Sequence, residues 1–216
     1  MDKPTVLIFT GGYLPGFKGG GPIRSIAGLV SHLSDEFCFT IITADRDLGD
    51  AAPYDGVPTD RWVGVAEAEV RYLPPDRTSL SALVSLLRET PHEALYLNSL
   101  FSPAFTLRPL LLRRLGLVPR RPVILAPRGE LGAGALAAKG LKKRLFLTLA
   151  KLGGLYRHVL WQASSGYEQA EIVRCFPLAQ VVVARNLASP SSSAPTERHK
   201  QAGALSLVYL ARIVEK

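Results

Sequence analysis

Apolar positions along this chain fall into short, β-branched runs separated by longer stretches with helical spacing. The runs "TVLIF" (5–9), "FCFTIIT" (37–43), "EVRYLP" (69–74), "ALYLN" (94–98), "PVILA" (122–126), "HVLWQAS" (158–164) and "QVVVA" (180–184) predict strands. Apolar residues recurring three and four apart predict helices over 22–34, 79–90, 103–115, about 135–152 and 165–176. Strands alternating with helices of this length are βαβ units. The fold class is therefore α/β, a Rossmann-like, mainly parallel sheet with helices on both faces. Several runs are apolar throughout, as strands covered on both sides must be. Ligands of such sheets bind outside the carboxyl ends of the strands.

The pattern breaks after residue 186. The stretch 187–204 is rich in Ser, Pro and Ala, the composition of a linker joining 1–186 to residues 205–216. Residues 205–216 open with another strand-like run that cannot bury its own faces. It either pairs with the first sheet or begins a second domain.

Between the first strand and the first helix lies "TGGYLPGFKGGGPIRS" (10–25), with six glycines and two prolines. Neither standard phosphate motif fits. No register satisfies G-x-G-x-x-G, and Lys18 lacks the Gly before it and the Ser or Thr after it that a P-loop needs. Proline is favoured in the first helical turn, so Gly19, Gly20 and Gly21 are expected over the positive end of a helix starting at Pro22. That placement suits a phosphate.

Charge adds a second feature. The chain carries +8 overall, yet residues 94–167 hold twelve Lys and Arg against a single acid, Glu130. Around 135–152 the basic residues fall on a helix. Leu141, Leu145, Leu149 and Leu152 share one face, expected against the sheet. Lys139 and Lys143 lie opposite, with Arg144 and Lys151 to one side. A basic amphipathic helix reads as a membrane-surface element, with Lys139, Lys142, Lys143 and Arg144 as its cations, or as a core-packed helix with a solvated basic face. No nucleic-acid module accompanies the high isoelectric point, so no nucleic acid is expected as partner. Cys38 and Cys175 sit in apolar contexts and read as reduced core residues of a cytosolic protein. His32, His92, His158 and His199 show no metal-ligand spacing. No leader or 18-residue apolar span is visible. The expected location is the cytoplasm, with peripheral attachment to the inner face of the membrane.

Four passages together resemble the N-terminal half of a family 4 (group 1) retaining glycosyltransferase of the GT-B fold, in its exopolysaccharide and capsule branch. They are "YLPGFKGGGPIRSIAGLVSHL", "APRGELGAGALAAKGLKKRLF", "WQASSGYEQAEIVRCFPLAQVVVARN" and "LVYLARIVEK". The resemblance spans almost the whole chain in order. It implies an acceptor-side domain over 1–186, with 205–216 as the first strand of a truncated nucleotide-sugar-binding domain. The implied reaction transfers a sugar from a nucleotide-sugar donor to a lipid- or polysaccharide-linked acceptor, with retention and without a metal or other cofactor. This half alone is expected to be inactive.

The resemblance also implies roles. Gly20 and Gly21 match the family's Gly-Gly pair, whose backbone approaches the donor diphosphate. Arg212 and Lys216 match the second-domain cations that neutralise the leaving diphosphate. Arg128-Gly129 stands where relatives carry His-Gly. Arg128 suits bidentate phosphate or carboxylate binding, or pairs with Glu130. Glu168 either touches substrate or caps its own helix, and Asn98 either meets the acceptor or forms a turn. Two other classes stay open: a Rossmann-type dinucleotide enzyme, for which Asp45 would be the acid ending the second strand, and a non-catalytic module binding anionic membranes.

Overall fold

The computed structural model describes residues 3–137 and 140–188. Arg212, Lys216, Lys139, most of the linker and the 205–216 strand lie outside the described residues.

Eight strands form one sheet: β1 (Thr5–Thr10), β2 (Cys38–Ala44), β3 (Trp62–Val65), β4 (Ala68–Leu73), β5 (Ala94–Asn98), β6 (Val123–Ala126), β7 (Val159–Ala163) and β8 (Gln180–Val183). Their spatial order is β3-β4-β2-β1-β5-β6-β7-β8. All neighbours are parallel except the β3–β4 hairpin. The chain winds outward from β1 through β2, then returns to the other side of β1 at β5. The β1/β5 seam is therefore the switch point, where a crevice opens at the carboxyl ends.

Central strands are buried on both faces because both are covered. Leu7, Ile8 and Phe9 of β1 are fully buried and alternate between two cores. Helices α2 (Leu80–Glu89), α3 (Arg108–Arg114), α5 (Gly140–Leu152) and α6 (Gly166–Cys175) pack on the side of Leu7 and Phe9, while α1 (Gly21–Leu33) packs on the side of Ile8. Past α1 that second face opens into an apolar groove of about 590 Å3 over β5 to β8, with Tyr96, Ile124 and Leu160 in its floor and Arg128 at one end.

Four expectations need correction. The polar stretch after β2 contains a strand, β3. It is a four-residue edge strand, half-solvated, whose short apolar run Trp62-Val63-Gly64-Val65 is interrupted by a glycine. Its Trp62 lies under the Arg71 guanidinium at 5.7 Å. The 103–115 helix opens with one wide π-type turn over Pro103–Leu107, capped by the Ser102 hydroxyl, before α3 begins. The basic segment is helical over α4 (Ala133–Ala137) and over α5, and α5 does not dock through its leucines. Leu147 and Ala150 are buried, whereas Leu141, Leu145, Leu149 and Leu152 face solvent. Cys38 is exposed and so is not a core residue, whereas Cys175 is half-buried and packs against the larger core. Cys38 is the first residue of β2, at the amino end of the sheet.

Candidate functional site

The glycine-rich loop crosses the carboxyl end of β1. Gly20 closes it with φ 65° and ψ −123°, a conformation that a side chain opposes, and α1 starts at Gly21 with Pro22 second. The N-cap residue Gly20 has no side chain to cap this helix, so the N–H groups of its first turn have no side-chain acceptor among the described residues. A Cβ on Gly20 or Gly21 would point into open space, whereas one on Gly19 would press on Ile23.

The loop is held from below by Asp47, just past β2. Its buried carboxylate accepts from the backbone N–H of Phe17 (2.7 Å), Lys18 (3.0 Å) and Leu48 (2.8 Å). Burial pushes the Asp47 carboxyl up, but these donors prevail and hold it below the ordinary carboxylate range. Lys18 pairs with Asp50.

Across the seam, β5 and β6 supply the charged part. Tyr96 and Asn98 share one face of β5, two residues apart. The Asn98 amide nitrogen donates to Thr10 Oγ1 (3.1 Å) and to the carbonyl of Pro22 (3.3 Å), tying β5 to β1 and to the first turn of α1. Its carbonyl oxygen accepts from Arg128 Nε at 2.6 Å. The Arg128 guanidinium also donates to the Tyr96 hydroxyl (2.9 Å) and to Asn186 Oδ1. All three partners are neutral, and none of the ion pairs among the described residues includes Arg128. Burial pushes the Tyr96 hydroxyl up. The Arg128 cation pulls it down and Glu168 pushes it up again.

Arg128 and Gly129 both adopt left-handed backbone, at φ 55° and 76°. For an arginine that conformation is strained, by about 1–3 kcal/mol. The buried Glu168 holds it in place, with Oε1 accepting from Gly129 N (2.6 Å) and Oε2 from the Ser164 N–H (2.7 Å) and hydroxyl (2.6 Å). Ser165 in turn caps Glu168 N, so the two residues form a variant capping box at the start of α6. Glu168 is thus a positioning residue whose carboxylate is already occupied. Glu130 is occupied too, by the Ser99 hydroxyl and the N–H groups of Leu100 and Phe101, and it does not pair with Arg128.

Asn98, Arg128, Gly129 and Glu168 therefore come together, and Asn98 joins them to the glycine loop. Lys142, Lys143 and Arg144 belong to α5, away from this seam. Sequence reasoning missed Thr10, Tyr96, Gln162 and Asp47. Tyr96, whose hydroxyl donates to Gln162 Oε1, had one available signal, its two-residue spacing from Asn98. Asp47 had none, since its partners lie 29 and 30 residues away. Among the described residues no cluster of His, Cys, Asp and Glu is placed to hold a metal. No described helix is long and apolar enough to cross a membrane. Comparison with family models and with curated proteins gave no match.

Proposed function

We propose that this chain is the acceptor-side half of a retaining glycosyltransferase that uses a nucleotide-sugar donor. One observation carries the reading. An arginine with no carboxylate partner among the described residues stands beside the switch point of the sheet, linked through Asn98 to the first turn of α1, which no N-cap side chain caps, under a glycine-rich loop. A diphosphate needs this combination: N–H groups, a helix's positive end and a planar cation.

In this reading the donor diphosphate lies over Gly20 and Gly21, where side chains would hold it off, and Arg128 binds an anionic oxygen of the donor. Arg128 is a cation throughout and cannot serve as a base. The leaving phosphate oxygen takes the proton from the acceptor hydroxyl. The carbon–oxygen bond to phosphate breaks and the bond to the acceptor forms on the same face of the sugar. Arg212 and Lys216 would add charge from the second domain. The acceptor is a glycan, free or lipid-linked.

The dinucleotide reading loses its support at Asp45. The buried carboxylate is taken by Arg46, whose Nε lies 2.7 Å from one oxygen and whose terminal nitrogen lies 3.2 Å from the other. It is not open to a ribose.

The test is titration with pyrophosphate and a panel of nucleotide sugars, followed by backbone amide NMR. The reading expects shifts at Gly20, Gly21, Ile23 and Gly129 with at least one nucleotide sugar, all lost in Arg128→Ala. Shifts confined to other surfaces, or unchanged in the variant, would overturn it.

A further inference from the structure

Helix α5 has two apolar faces, and the fold uses one. Leu147 and Ala150 are buried against the sheet side, and Phe146 packs edge-on against Phe101 with ring centres 5.9 Å apart. On the opposite side Leu141, Leu145, Leu149 and Leu152 are 83%, 60%, 59% and 81% exposed. At 100° per residue these four form a stripe about 80° wide. Lys142 borders it on one side, Arg144 and Lys151 on the other, all exposed. Lys143 is turned inward, donating to the Ala135 carbonyl and lying over the Phe101 ring at 5.2 Å, and the Lys151 ammonium, though its residue is exposed, lies over the Phe176 ring at 5.1 Å.

The end of α3 lies near the end of α5, where Arg114 Nε donates to the Gly153 carbonyl at 3.2 Å. Leu111 and Leu115 are exposed there as well. No acidic residue occurs between Glu130 and Glu168, and the Glu130 carboxylate is spent on the Leu100 and Phe101 backbone.

An occupant must therefore offer an apolar interior and a negative border. A second copy of this face would set cationic margins against cationic margins. An anionic lipid surface offers both features at once. The helix carries Lys142, Lys143, Arg144 and Lys151 within its own length, a charge content that a hydrocarbon core does not accept. Its place is in the plane of the interface.

We propose that the outward face of α5 inserts into the headgroup region of an anionic lipid surface. The leucines anchor it, and Lys142, Arg144 and Lys151 select for negative charge. The leucines, rather than the cations alone, make the attachment resistant to salt. In chain order α5 lies between the carboxyl end of β6, where the loop 127–132 carries Arg128, and the start of the parallel β7, so the Leu141 end of the stripe lies toward the site end of the sheet. A lipid-linked acceptor would be met there. The insertion itself stands independently of the transferase reading.

The experiment is co-sedimentation of the full chain with phosphatidylcholine vesicles, with and without phosphatidylglycerol. Wild type is expected to bind the phosphatidylglycerol vesicles and to stay partly bound at high salt. Both L145E/L149E and the uncharged L145S/L149S should lower binding about tenfold or more. K142S/R144S/K151S should lower it similarly at low salt. Both leucine variants should melt like wild type, since these side chains point away from the core, and all three variants should keep the response of Gly129 to pyrophosphate. Absence of wild-type binding would overturn the proposal, as would unchanged binding by both leucine variants. So would a wild-type dimer that L145E/L149E converts to monomer, which would assign the stripe to a second copy. Loss of the pyrophosphate response with vesicle binding intact would count against the transferase reading alone.

Discussion

Asn98 and Arg128 meet across the ends of β5 and β6, with Arg128 Nε donating to the Asn98 side-chain oxygen at 2.6 Å. The same asparagine donates from its nitrogen to Thr10 and to the first turn of α1. One amide thus orients both a cation and a helix terminus, and it does so without neutralising the cation.

Arg128→Lys separates charge from geometry. A lysine keeps the positive charge but cannot reach Asn98, Tyr96 and Asn186 with one planar fork. Calorimetric titration should show pyrophosphate affinity lowered about tenfold, the equivalent of one lost charge-assisted hydrogen bond. Equal affinity in the two proteins would make Arg128 a structural residue.

Glu168→Gln leaves the shape of the side chain and removes its charge. Three donors, from Gly129 and Ser164, would then face a neutral amide. Denaturant unfolding should show a loss of about 1–3 kcal/mol, and the Gly129 amide should exchange faster with solvent. Unaltered exchange at Gly129 would show that something else holds the strained Arg128–Gly129 turn.

The Asp47 carboxyl is held below its ordinary range by the loop N–H groups that it accepts. Its contribution is therefore fully present above the unfolded value of about 3.9 and is lost as pH falls through the folded value. Hydrogen exchange at Phe17 and Lys18 should accelerate in acid below that point, and Asp47→Asn should show fast exchange already at neutral pH. A variant as protected as wild type would remove Asp47 from the account of the loop.

Gly28 lies on the face of α1 crossed by the chain after β8, and a Cβ there would overlap the carbonyl of Leu187. Alanine normally favours a helix by about 1 kcal/mol over glycine. Gly28→Ala should nevertheless fail to raise the melting temperature and should expose Leu187 and Ala188 to faster proteolysis. A stabilised, protease-resistant variant would show that this crossing yields easily.

Much of the fold follows from local pattern. Runs such as "TVLIF" and "FCFTIIT" are apolar on both faces, and only a strand covered on both sides accommodates that. The glycines before Pro22 place a turn and a helix start, because no other residue adopts the backbone of Gly20 freely. Asn98, Arg128 and Glu168 were each visible as polar residues at the ends of apolar segments. Their mutual contacts were not, because they join positions 30 and 39 residues apart.

On its own, then, the sequence of this protein determined most of its strands and helices, though not β3, and that the sheet is mainly parallel and covered on both sides. Those are consequences of spacing between near neighbours, which the chain carries wherever it goes. Three matters were decided only by tertiary structure: the order of the strands, the partners of Arg128 and the docking side of α5. In α5, leucines on one face compete with Phe146, Leu147 and Ala150 on the other, and periodicity marks both as apolar. The sheet took the second, where Phe146 meets Phe101. The leucines were left to solvent because burial is settled by the shape of the facing surface as well as by hydrophobicity.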